Sequence, residues 1–217
     1  MPPRARAVAK AASGARTAAG AANVEGLWLA ELQRLADGAA HELRNALNGV
    51  AVNLEVVRSR SSRAGTAADT LGSFAGAAAE QLDQVIAMTE ALVALTRPLR
   101  QPASVGRVAD QVVALLHPPA VASGRRVSLV VEGEGATGTP ADVVRLLVSG
   151  AIRAVVEAAP EGGEVRCRVG PVEGVELDVT GAGARPLRLD EVWQRVADAH
   201  AVRVAAAPGA ITLTFPA

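Results

Sequence analysis

Aromatic residues are almost missing from this chain of 217 residues: they make up 2%, as two tryptophans, two phenylalanines and no tyrosine. Any core must therefore be built from alanine, valine and leucine, which bury less apolar surface per residue. Cysteine is nearly absent too. Cys167 stands alone, which excludes a disulfide framework and a cysteine-rich zinc site and fits a reduced, cytoplasmic setting. Lysine occurs only at Lys10, so positive charge is almost all arginine. No excess of either sign exists: 22 basic and 22 acidic residues cancel. A balanced chain argues against nucleic acid as the main ligand, because phosphate binding calls for a concentrated basic surface. No apolar run approaches the ~18 residues of a membrane span, and no secretory segment is visible, so no membrane partner is expected.

The hydrophobic share, by contrast, is 50%, and its spacing is informative. Residues 1–25 are rich in alanine, glycine and arginine, with no acid before Glu25, and are expected to form a disordered tail. From residue 26 to 59 a stripe of Leu32, Leu35 or Ala36, Ala39, Leu43, Leu47, Val50, Leu54 and Val57 predicts one long helix of about 50 Å. From Leu43 its steps alternate four and three, the seam of a helix packing on other helices. Residues 60–68 read as a turn. A second helix is expected from Asp69 to Thr96, ended by Pro98 and Pro102. One such hairpin buries little by itself. Two copies forming a four-helix bundle would bury both stripes, which predicts a homodimer.

The first helix carries His41-Glu42-Leu43-Arg44-Asn45-Ala46-Leu47-Asn48. His41 lies off the seam and is expected to face water or a partner, with Asn45 on the same face one turn later. An exposed imidazole beside a carboxylate suits a nucleophile that carries a group and passes it on.

After Pro102 the texture changes. Helices are expected over 105–116, from Pro140 to 158 with Thr139 as N-cap, and over 189–200; His117 and His200 read as helix-end residues. Strands are expected over 126–131, 164–169, 175–179, 202–206 and 210–215, the last pair a hairpin around Pro208-Gly209. Cys167 is expected to be buried and inert. The fold class is α+β: an antiparallel helical hairpin (residues 26–100) followed by an α/β sandwich (101–217), a mixed sheet with helices on one face.

These stretches resemble the two-component histidine kinases. His41 to Asn48 is similar to the H-box of that family, which implies His41 as phosphoacceptor, Glu42 as the acid that orients the ring and takes its proton, and Asn45 as a residue that helps dephosphorylate a receiver domain. Residues 150–163 resemble the family's N-box without a gap, and residues 179–186 its DTGPGIP loop. The departures are specific. The two N-box asparagines fall on Gly150 and Ala154, so the Mg²⁺ at the nucleotide phosphates has no ligand. The adenine-reading aspartate falls on Val179. Asp178 is adjacent, but one step along a strand points the other way. No glycine-rich phosphate cradle survives before the next helix.

A phosphoacceptor hairpin with a degenerate ATP-binding domain resembles the histidine phosphotransferases derived from histidine kinases. That resemblance implies relay between response-regulator receiver domains, with His41, Glu42 and Asn45 catalytic and with Arg44, Asn48 and Ala51 in the receiver interface. It implies no cofactor and no metal bound by this chain, the Mg²⁺ arriving with the receiver. The alternatives are a pseudokinase acting as a receiver phosphatase through Asn45, a scaffold without chemistry, and an autokinase with an unusual ATP site.

Overall fold

The computed structural model describes residues 24–62, 68–98, 102–132, 135–172, 174–181, 186–187 and 189–216, together with the backbone of residues 3–23. Helix α1 runs over Pro3–Ser61 and α2 over Ala68–Thr96. The helix thus begins at Pro3, not at residue 26. Proline suits a first helical turn, and no other proline follows until Pro98, while alanine is the strongest helix former. The start of α2 agrees with the sequence to one residue. Residues 63–67 of the expected turn lie outside the described residues.

α1 and α2 pack along their lengths as a hairpin. The buried seam of α1 is Val24, Trp28, Glu31, Leu35, Ala39 and Ala46. It agrees with the expected stripe at Leu35 and Ala39, with Leu32 and Leu43 partly buried against the core, and then rotates. Below His41 the residue turned inward is Ala46, while Leu47 and Leu54 are about half exposed, at 50% and 53%. The reason is a polar rung. The Gln81 amide of α2 lies flat against Gly49, where any side chain would collide with it, and it accepts a hydrogen bond from Asn53 Nδ2 at 3.2 Å. The hairpin is drawn together on small and polar residues there, and its leucines face outward.

The second part begins with β1, Ala103–Ser104, and α3, Val105–Ala122. Ser104 caps α3, its hydroxyl accepting from Arg107 N at 3.2 Å. α3 then overruns the expected end. Pro118 and Pro119 lie inside it, so His117 is not a helix-end residue. The helix tolerates them because only their own two N–H donors are lost and Ser123 N closes the end onto the Pro119 and Ala120 carbonyls. His117 instead uses Nδ1 to donate to the Val127 carbonyl at 3.0 Å on β2, Arg126–Val131.

After β3, Ala136–Thr137, comes α4, Ala141–Ala158. Thr139 is not its N-cap. Pro140 holds that position with extended ψ and no side-chain bond, its carbonyl accepting from Val144 N. Thr139 is buried and turned to Thr137, its backbone N–H donating to the Thr137 hydroxyl at 3.1 Å. Then follow β4 (Glu164–Val172), β5 (Gly174–Gly181), α5 (Glu191–Ala199), β6 (Arg203–Ala207) and β7 (Ala210–Phe215). The sheet order is β2-β4-β5-β7-β6, with β2 and β4 parallel and all other pairs antiparallel.

Alternation puts Val165, Cys167, Val169, Leu177, Val179, Ile211, Leu213 and Phe215 on one face, all at 1% exposure or less. Arg126, Arg166, Arg168 and Thr180 lie on the other, exposed face. α3 and α4 cover the apolar face. The fold is therefore α+β, a helical hairpin followed by a mixed sheet with helices on one side. Thirteen residues of α4 are buried, including every one from Val143 to Ile152. A helix apolar all round must be covered all round. The sheet covers one side of α4; α1 and α5 cover the other.

Candidate functional site

His41 projects from α1 as an exposed side chain. Asn45 and Asn48 follow at one and two turns, also exposed, and so form one polar face with it. Arg44 and Ala51 are exposed beside them. Glu42 is half-buried at the flank. Among the described residues no hydrogen bond joins Glu42 to His41. The structure brings all six expected residues onto one stretch of α1. It places no group of three or more His, Cys, Asp or Glu side chains able to hold a metal among the described residues.

The second region of interest is the outer face of α4, where Gly150 and Ala154 replace the asparagines of the resembled motif. Trp193 of α5 lies directly on Gly150. A Cβ placed there would meet the indole nitrogen at 2.5 Å. That nitrogen donates to the Leu146 carbonyl at 3.2 Å, which fixes the ring in place. Asp190 caps α5 by accepting from Val192 N at 2.8 Å and so sets the helix that carries the tryptophan. Val179 is fully buried in the sheet. Asp178 points to the opposite face, where it accepts from Thr212 Oγ1 at 3.0 Å. Residues 182–185 of the DTGPGIP-like loop lie outside the described residues. Among the described residues, none of the side chains at 150, 154 or 179 can hold Mg²⁺ or read an adenine edge, and an indole lies against Gly150.

A cleft of about 350 Å³ remains between α1, α4 and α5, lined by Leu27, Glu31, Arg34, Leu146, Gly150, Arg153, Asp190 and Trp193. Sequence reasoning missed its most unusual member. Glu31 is only 2% exposed. Its carboxylate accepts two bonds from Arg153 of α4, Nε to Oε1 at 2.7 Å and Nη2 to Oε2 at 3.1 Å, and a third from Arg34 at 3.1 Å. Arg153 also donates to Glu157 at 2.9 Å. Burial works to lower the Arg153 pKa, but the bonds and fields of Glu31 and Glu157 outweigh it, and the guanidinium is held protonated more firmly than usual. Arg145, two turns earlier on α4, is 3% exposed. It donates to the Ala94 carbonyl at 3.4 Å and to the Arg97 carbonyl at the end of α2, and lies 5.7 Å from the Trp28 ring. The available signal was Glu31 itself, an acid on the seam between Trp28 and Leu35.

No protein-family model matches the chain, and no curated protein matches it. Solved structures do. The chain is similar to the catalytic domain of histidine kinase ThkA at 11% identity and TM-score 0.43, over 52% of this chain and 96% of that one. It is similar to the cytoplasmic segment of histidine kinase QseC at 19% identity and TM-score 0.44, over 64% and 94%. With a bacterial phosphotransferase it shares 11% identity and a TM-score of 0.46, over 89% of this chain and 95% of that one. No helix among the described residues is long and apolar enough to cross a membrane.

Proposed function

We propose that the chain is a histidine phosphotransferase of a two-component relay, accepting a phosphoryl group on His41 from a receiver aspartate and passing it to a second receiver. The observation that carries this reading is the pairing of an open His41–Asn45–Asn48 face with an α4 whose nucleotide side is filled by Trp193. The acceptor is offered to a partner, and the residues that would feed it from ATP do not fit that role.

The steps follow. A ring nitrogen of neutral His41 attacks the phosphorus of the receiver's aspartyl phosphate in line. The P–O bond to the aspartate breaks and the carboxylate leaves. The proton on the other ring nitrogen passes to Glu42, and an N–P bond remains on His41. The second receiver's aspartate then attacks that phosphorus, and Glu42 returns the proton. Magnesium is held in the receivers, and charge on the transferring group is met there. Arg44, Asn48 and Ala51 form the receiver contact. Two chains pair through the outward apolar residues Leu47 and Leu54 of α1 and Leu82, Ile86 and Val93 of α2, each at 42% exposure or more in the single chain. Burying such a stripe on a second copy completes a four-helix bundle.

A receiver carrying ³²P-aspartyl phosphate tests the reading. Label on His41 that moves to a second receiver supports relay, and His41→Ala abolishes it. Loss of label as free phosphate, dependent on Asn45, makes the protein a phosphatase instead. Binding without loss of label makes it a scaffold. Labelling of His41 by [γ-³²P]ATP alone overturns the account of α4.

A further inference from the structure

We infer that Glu31 and Arg153 form a positioning pair, which holds the second domain at one angle to the helix carrying His41; the inference rests on the relay reading for its effect on receivers. A carboxylate that is 2% exposed has lost its water and needs hydrogen-bond partners in its place. Glu31 has such partners on both oxygens, and the pair from Arg153 comes from another domain, 122 residues along the chain. Two parallel bonds from a planar guanidinium fix direction as well as distance. Arg153 is itself held from behind by Glu157.

One such tie would be a pivot. A second exists, on the other helix of the hairpin: Arg145 of α4 caps the end of α2 through the Ala94 and Arg97 carbonyls. α4 is thus tied to α1 at one point and to α2 at another; two points leave only rotation about the line between them, which the bidentate geometry of the first tie opposes. Apolar side chains around them, such as Leu27 and Leu146 in the cleft wall, resist separation but carry no direction. Glu31 lies ten residues before His41, about 15 Å along the helix. A receiver docked at His41 with the second domain beside it meets both surfaces at once only while that angle is held. None of the relay chemistry uses Glu31 or Arg153.

Arg153→Ala alone strands a buried carboxylate and risks unfolding. The informative variant is the double substitution Glu31→Leu with Arg153→Leu, which removes both charges and keeps apolar cover. Three measurements on the full chain decide. The first is labelling by phosphoramidate, a small donor whose P–N bond breaks, with ammonia leaving, as His41 is phosphorylated. The second is KM and kcat with a phosphorylated receiver. The third is the distance distribution between spin labels at Ser59→Cys and Ser128→Cys, diluted with unlabelled chain.

The double variant is expected to melt as the parent does and to accept phosphoramidate within about twofold, while KM for the receiver rises about tenfold and kcat changes little. The spin-label distances, narrow in the parent, broaden. An unchanged distribution, or an unchanged KM, overturns the pair as a positioning device. A parent chain that takes phosphoryl from neither donor overturns the relay reading, and the distance measurement then still decides whether the pair sets the angle.

Discussion

Leu47 and Leu147 are the same residue in opposite circumstances. Leu147, in α4, has no exposed surface, walled by the sheet on one side and by other helices on the other. Leu47, in α1, is half exposed on a hairpin of two helices. The core around α4 is closed within one chain, by the sheet, by α5 and by the upper part of the hairpin. The hairpin below His41 is not: it meets itself through Ala46, Gly49, Gln81 and Asn53 and turns its larger apolar side chains outward. A region whose apolar side chains are all covered within the chain is closed, whereas one that leaves an apolar stripe uncovered offers it to another surface.

The sharpest way to break this contrast is paired truncation. Leu147→Ala is expected to cost about 3 kcal/mol or more, read as a lower denaturation midpoint, because a fully enclosed side chain leaves a cavity. Leu47→Ala should cost well under half of that at low protein concentration, where the single chain prevails. An equal loss in both would show that the hairpin is already closed.

Next in size is Leu47→Asp, expected to raise the dissociation constant of the homodimer at least about a hundredfold, near 2.7 kcal/mol. Sedimentation velocity checks it, and a parent that stays monomeric at high concentration removes the four-helix reading.

The enclosed side of the comparison also predicts an alkaline limit. Burial first, and then the nearby Asp178 carboxylate, push the Cys167 thiol from 9.0 up to about 12. The folded thiol stays neutral while the unfolded one ionises. Stability from this residue is therefore complete below pH 9 and falls above it, by up to about 1.4 kcal/mol per pH unit, until the folded thiol itself ionises near 12. With no tyrosine and a single lysine in the chain, few other groups titrate there. Urea unfolding from pH 8 to 11 should show the decline, and Cys167→Ala should flatten it.

The smallest effect is at the end of α5. Ala201 has φ +54, a left-handed conformation that suits glycine, in a turn where Val202 N reaches the Ala197 carbonyl at 2.9 Å. Ala201→Gly is expected to stabilise by about 1 kcal/mol or less, seen as a small rise in Tm.

Local pattern carried most of the fold. The strand over 126–131 was legible residue for residue, because a run rich in valine set between turns favours extended backbone. Cys167, Val179 and Asp178 took the faces that alternation assigns them. The misreadings share a cause: a local rule overruled by a contact from elsewhere. Pro118 and Pro119 should end a helix, yet α3 continues to Ala122 across the sheet, with His117 bonded to β2. Thr139 is a good cap by type, but Thr137 and burial claimed it. The exposed face of His41 was readable because it depends on one helix alone. The Glu31–Arg153 pair was not, because no periodicity links residues 122 positions apart.

The two tryptophans give the joint between the domains an optical voice. Trp28 of α1 stands over the Arg145 guanidinium, and Trp193 of α5 leans on Leu146 and Gly150, so both indoles press on the same helix, α4. With no tyrosine to blur the signal, the native emission of this chain reports on the packing of α4, Trp28 from the side of the hairpin and Trp193 from the side of α5, and any loosening there registers as a red shift without a label being attached.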